Sequence, residues 1–286
     1  MTAELLFQST VLGLSMGAIY ILMALGLTLM FGMMHIINFA HGAIYMLGAF
    51  AIYYLFAQAG IPYLLAFVLT LLLLGMFGLG IERVIYRTLG GETEPTLVAL
   101  LALTTLLESS GYLVFGVLDK DVPTVFPGVL RLSGMTLSVE RLVIIPIVAV
   151  MVMSLHVFMQ RTKTGQAMRA IEQDKEAAAL QGVNVNRINA LAFGIGFALA
   201  AAAGALIAPV FAVTPSMGEL PLLKAFIIII LGGLGSVPGA ILGGVILGLI
   251  DGVLATAFGF ELAFLLSFVL IIVILLVKPQ GLLGHA

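Results

Sequence analysis

Asn38, His41 and Gly42 fall within five residues of one another in the stretch INFAHG, inside a run that is otherwise apolar. Farther along, Thr104 and Glu108 stand four apart, Asp251 follows the apolar run LGLI, and Gly232, Gly233, Gly235 and Gly239 surround Pro238. None of these groupings is a catalytic arrangement. No nucleophile is spaced to meet a base, and His35 and His156 lack companions at metal-ligand spacing. These groups can instead hydrogen-bond or pair charge where water is scarce. An unsatisfied polar group in hydrocarbon costs on the order of several kcal/mol. Each must therefore be compensated by another helix, a water-filled path or a passing solute.

The elements that hold them are apolar throughout. The chain of 286 residues is 62% hydrophobic and 9% charged, with mean hydropathy +1.24. A soluble domain is about a quarter charged. Several runs approach or exceed the roughly 20 residues that cross a bilayer. Runs such as Ala225 to Leu231, AFIIIIL, do not alternate as barrel strands must. The expectation is an all-α, polytopic transmembrane helical bundle forming one domain over 1–286. It would contain about eight or nine membrane elements, some broken or re-entrant. They are placed near 10–33, 41–58, 62–83, 96–118, 140–160, 188–209, 223–235, 239–258 and 261–277. The elements at 223–235 and 239–258 are short and meet at GGLGSVPG.

Charge sets the orientation. Eight of the twelve basic residues fall on one side: Arg161, Lys163, Arg169, Lys175, Arg187, Arg83, Arg87 and Lys278. Lys120, Arg131, Arg141 and Lys224 fall on the other. The first side is thus cytoplasmic, with the C-terminus there and the N-terminus outside. No cleavable signal peptide is evident, because MTAELLFQST has no basic start. Loop 119–139 reads as an aqueous ledge. There are no cysteines, so disulfide and thiol chemistry are excluded, and a net charge of -2 excludes a nucleic-acid partner. No Gly-Lys dipeptide occurs, so the chain has no P-loop of its own.

The most polar segment is RTKTGQAMRAIEQDKEAAALQGVNVNR, 161–187. Its core, Gln166 to Leu180, lacks Gly and Pro and is rich in helix formers. The spacing predicts one helix over about 165–182, started by Thr164 and ended by Gly182. Met168, Ile171, Ala178 and Ala179 make its apolar face, with Arg169, Glu172 and Glu176 facing elsewhere. Such a helix is either a connecting loop or a docking element.

The intramembrane groups leave similar choices. Asn38 and His41 either cap a helix at the surface or line a break inside the membrane. Glu108 either cross-links helices or, with Thr104 on the same face, lines the path. Asp251 pairs with a helix N-terminus or a basic residue. Gly239, Gly243, Gly244, Gly248 and Gly252 permit close helix packing. Alternatively, the helix start after Pro238 offers N–H groups to an anion. Glu82, Arg83 and Arg87 read as solvated anchors at a membrane edge.

Glu176-Ala177-Ala178 followed by Gly182 resembles the EAA-x3-G motif of ABC importer permeases, without its usual I-x-L-P tail. The wider pattern resembles branched-chain amino acid permeases of the LivH type. It is carried by Gly17 to Phe50, Thr164 to Leu206, Gly232 to Leu249 and the closing KPQGLLG, in order along nearly the whole chain. The resemblance implies an ATPase-coupling set of Arg169, Glu172, Glu176, Ala177, Ala178 and Gly182. It also implies a substrate path near Asn38, His41, Gly42, Thr104, Glu108, Gly235, Gly239 and Asp251. The implied partners are a second related permease (LivM-like) or a second copy, two cytoplasmic ATPases and a periplasmic binding protein. ATP and magnesium would sit on the ATPases, leaving this chain without cofactor or metal, and the setting is the bacterial inner membrane. The implied substrate is a branched-chain amino acid or a related small carboxylate or amide. Many relatives carry an acid after His-Gly, where this chain has Ala43; that favours a carboxylate without an amine. The rival reading is a stand-alone ion-coupled transporter or channel using Glu108 and Asp251.

Overall fold

The computed structural model describes residues 3–132, 135–278 and 281–283. Pro279, Gln280 and Gly284 of the closing motif lie outside them. Eleven helices and one hairpin follow in order among the described residues: α1 Ala3–Met34, α2 His41–Ile52, α3 Tyr63–Ile81, α4 Thr93–Phe115, β1 Val129–Leu132, β2 Met135–Ser138, α5 Val139–Arg161, α6 Lys163–Gln173, α7 Lys175–Leu180, α8 Val185–Ile207, α9 Glu219–Gly232, α10 Val237–Phe258 and α11 Phe260–Val277. A π turn extends α2 through Tyr53–Gln58, and another extends α3 through Glu82–Tyr86. Among the described residues, six helices are long and apolar enough to cross a membrane: α1, α3 with its extension, α4, α5, α8 and α10. α9 is too short, and α2 even with its extension falls outside this set; these are the elements beside the polar breaks. The 119–139 ledge carries the antiparallel hairpin, with Leu130 opposite Leu137. Both Glu140 carboxylate oxygens accept from the Val125 and Phe126 amides, which pins the ledge to α5.

α1 and α8 form the centre, and the outward faces of the others remain apolar, as for Leu72, Leu113 and Val150. Such faces lose nothing against lipid tails, so packing rests on how closely backbones approach. A Cβ on Gly248 would fall 2.4 Å from the Gly17 Cα, and one on Gly13 would fall 2.5 Å from the Gly248 carbonyl oxygen. The small residues four apart on α10 therefore seat against Gly13 and Gly17 of α1. The close-packing reading of these glycines holds. Gly239 faces Gly232 at similar proximity, and the Gly239 N–H donates to the Ser236 hydroxyl at 3.1 Å. The start of α10 is thus capped and filled by its own chain, which favours close packing over the alternative of an anion cradle.

The predicted single helix over 165–182 is two helices. Asp174, extended at φ -157°, breaks it and caps α7 by accepting from Glu176 and Ala177 N–H, each at 2.9 Å. Thr162, rather than Thr164, caps α6, accepting from the Gly165 N–H at 3.0 Å. Gly182 does end the segment, at φ +84°. Its N–H donates to Ala179 and that of Val183 to Ala178, the paired bonds of a left-handed C-cap. Met168, Ile171 and Ala178 are buried as the pattern predicted, but Ala179 is exposed.

Candidate functional site

The chain reverses after Met34 through His35, whose φ is +54°. It then climbs back along α1. The Asn38 amide reaches the Met30 sulfur at 3.4 Å, and its carbonyl accepts from the Ala40 N–H at 3.0 Å. Asn38 therefore closes a turn ahead of α2 and does not cap the helix, whose first N–H groups have no side-chain partner at Ala40. The His41 ring lies where a Cβ on Gly26 would meet it at 2.7 Å, with its edge toward Phe197. At 1.5 Å per residue, Gly26 sits about 12 Å inside the Met34 end of α1. The break is inside the bundle. His41 is fully buried, and neither ring nitrogen makes a well-formed hydrogen bond among the described residues.

A second break meets the first. After α8 the chain folds back over 208–218, and a Cβ on Gly218 would fall 2.0 Å from the Gly42 carbonyl oxygen. α2 leaves this point toward the C-terminal end of α8, packing on Ala205 and Ala208. α9 leaves it toward Gly32 and the start of α10. Two half-helices thus start side by side and run apart. Glu108, half-buried on α4, interacts electrostatically with Glu219 at the first turn of α9. Thr104 bonds its own helix, donating to the Leu100 carbonyl at 2.9 Å.

Where α9 ends, the α6–α7 segment meets the bundle. A Cβ on Gly32 would fall 3.2 Å from Glu172 Oε1, and one on Gly235 3.6 Å from the same atom. Glu172 is exposed on its outer side, yet partial desolvation against the bundle raises its pKa above the ordinary value; Arg169 and His35 oppose the shift. Arg169 also donates to the Gln160 side chain. The Glu172 carboxylate therefore lies beside the end of α1 and the glycine turn between α9 and α10. Glu176 and Ala177 face solvent one step farther out.

Asp251 stands apart from the break. Its Oδ1 accepts from Lys224 Nζ at 2.8 Å and from the Ser267 hydroxyl. The ammonium also lies 4.9 Å from the Phe264 ring centre. This pair borders a cavity of about 340 Å³ that Tyr20, Arg141 and Phe211 also line. Lys224 is 3% exposed. Counted by sequence only among the charges of the outer side, it is an α9 side chain drawn inward by Asp251. Glu82 is corrected too. Its side chain is fully buried and bound to Arg87 at 3.0 Å, so it is no solvated anchor.

The structure brings Asn38, His41, Gly42 and, through Glu219, Glu108 to one place. Glu172 and Gly235 share another, Asp251 a third, and Gly239 packs away from all of them. Sequence reasoning missed Gly218, Glu219, Arg141 and the role of Lys224. One signal was available: the apolar stretch from Leu222 to Leu231 is too short for a full span, so it had to begin inside the membrane, with Lys224 on it.

A family model described as the branched-chain amino acid transport system permease component matches residues 9–275. Among curated proteins, the high-affinity branched-chain amino acid permease BraD of Pseudomonas aeruginosa is 36% identical, over 82% of this chain and 81% of its own. The LivH permease of Escherichia coli K12 is 33% identical, over 80% of this chain and 79% of its own. A probable LivH of Methanocaldococcus jannaschii is 27% identical, over 77% and 72%.

Proposed function

Because the chain belongs to the branched-chain amino acid transport permease family, we propose that it is the membrane subunit of an ATP-driven ABC importer of the bacterial inner membrane. It passes a branched-chain amino acid, or a related small carboxylate or amide, from a periplasmic binding protein to the cytoplasm. It pairs with a second permease, LivM-like or another copy, and with two cytoplasmic ATPases that hold ATP and magnesium. The whole chain acts as one domain. The six long helices with the two half-helices and α11 make up the eight or nine membrane elements. The α6–α7 face and the C-terminus lie in the cytoplasm.

The observation that carries this reading is the linkage at Glu172. An ATPase closing on α6–α7 would grip Glu176, Ala177 and Gly182. Glu172 bears on Gly32 and Gly235, so the movement would pass to the C-terminal end of α1 and the turn that ends α9. Those two helices flank the break at His41 and Gly218. The glycine contact between the half-helices is a joint whose sides can separate. The buried imidazole of His41, which leans on the Met23 backbone without a well-formed hydrogen bond, keeps hydrogen-bonding capacity for a solute there. The Arg141–Lys224–Asp251 cavity adds a surplus positive charge that suits a carboxylate.

Expression with the neighbouring genes and gentle purification tests the assembly. A bound P-loop ATPase, stimulated by a loaded periplasmic binding protein, is the expected result. A solitary chain that carries solute without ATP would favour the ion-coupled transporter and direct attention to Glu108 and Asp251.

A further inference from the structure

A recess of about 580 Å³ opens where α3 ends and α8 begins, lined by Leu79, Glu82, Arg83, Arg87, Arg187 and Leu191. It arises because α3 and α8 touch closely just beside it: a Cβ on Gly78 would fall 2.8 Å from the Phe193 carbonyl oxygen, and Leu79 packs on Gly194. The π turn over Glu82–Tyr86 shapes its charge. The Arg87 N–H donates to the Glu82 carbonyl five residues back, at 2.9 Å. That wider turn puts Glu82 and Arg87 on one face, where an α-helix would separate them, and such turns recur at functional sites. Arg87 neutralises Glu82 at 3.0 Å. Arg83 and Arg187, both exposed, form no close ion pair among the described residues, although Arg83 also acts on Glu82 at longer range.

Polarity is graded along the recess. Leu79 lies one turn deeper than Arg83 on α3, and Leu191 one turn deeper than Arg187 on α8. Both leucines are more than a third exposed. Two exposed guanidinium groups without a close carboxylate thus stand at the polar end of an apolar slot. One further group points the same way: Glu82 Oε1 is buried and has no hydrogen-bond partner among the described residues.

We infer that this recess holds an anionic phospholipid with a hydroxyl-bearing head group, of the phosphatidylglycerol class. The phosphate lies between Arg83 and Arg187, a head-group hydroxyl donates to Glu82 Oε1, and an acyl chain follows Leu79 and Leu191. The apolar slot selects a lipid over free phosphate, which would leave it empty. Basic recesses between helices at the cytoplasmic edge suit such lipids.

The test uses the purified full chain in nanodiscs of phosphatidylglycerol, of phosphatidylcholine and of their mixture, with retained lipid counted by native mass spectrometry. Preferential retention of phosphatidylglycerol is expected. Arg83→Gln and Arg187→Gln should each weaken it about five-fold, and together about twenty-five-fold. Arg83→Lys, which keeps the charge, should retain most of the binding and serves where the Gln variants purify poorly. Arg131→Gln, on the hairpin, should change nothing. An excess of inorganic phosphate should leave the lipid in place. Equal retention of both lipids, displacement by phosphate, or displacement by a co-purified ATPase would each overturn the inference, the last by making the recess a protein contact.

Discussion

Replacing Lys224 by Met removes the ammonium from Asp251 while keeping a side chain of similar length. At 2.8 Å, an effective dielectric constant of 20 gives roughly 6 kcal/mol of gross attraction. Desolvation of both ions offsets much of this, so the gross figure is not the expected loss. Breaking one side of a buried pair costs about 3–5 kcal/mol, because the remaining charge is stranded. Asp251 keeps the Ser267 hydroxyl and is 16% exposed, which places Lys224→Met near the lower end, at about 3 kcal/mol. Asp251→Asn strands the ammonium against the Phe264 ring and should cost a similar amount. The double variant strands nothing. Its loss should fall short of the sum by about 2 kcal/mol or more. Denaturant unfolding of the purified protein in detergent, followed by far-UV circular dichroism, measures all four forms. Additivity within about 0.5 kcal/mol would refute the reasoning, since the pair would then contribute no mutual energy.

Glu176→Lys, on the exposed start of α7, should abolish uptake and stimulated ATP hydrolysis while shifting unfolding by less than about 0.5 kcal/mol; normal uptake would remove the docking role. Gly218→Val puts methyl groups against the Gly42 carbonyl, and should lower stability by about 1–3 kcal/mol and uptake with it. Wild-type stability would mean that the two half-helices do not meet there. Because partial desolvation raises the Glu172 pKa, the native state holds its proton to higher pH than the unfolded chain does. Its unfavourable contribution is therefore absent below the ordinary glutamate range. It grows as pH rises through the raised value and is complete above it. Stability measured across mildly acidic pH should fall slightly more steeply with rising pH in the wild type than in Glu172→Gln, and identical slopes would contradict the raised pKa of Glu172.

Much of the bundle was legible because the bilayer imposes a simple rule: long apolar runs without Pro or Gly clusters are spans. α4, α5 and α8 follow it to within a few residues, whereas α1 begins about seven residues earlier than its apolar run suggests. The small-residue spacing on α10 also reads through to its contact, since only glycine admits the α1 backbone. The breaks were half legible. INFAHG declares itself by polarity, but Gly218 and Glu219 follow a loop that resembles any other, and their meeting with Gly42 is tertiary. The role of Lys224 is hidden because a lone cation in an apolar run reads only as a side marker until its partner, twenty-seven positions on, is in view. Asp174 looked like a tolerable helix residue, yet its carboxylate finds two free N–H groups by breaking the helix and capping α7. Glu82 was taken for solvated because α-helical spacing hides the five-residue pairing that a π turn creates.

The most direct measurement is uptake of radiolabelled leucine into proteoliposomes containing this chain with its co-expressed partners and loaded binding protein, with ATP inside or absent. The account predicts accumulation only with internal ATP and its loss when the ATPase is omitted. Accumulation by this chain alone, driven by an ion gradient and indifferent to ATP, would contradict it.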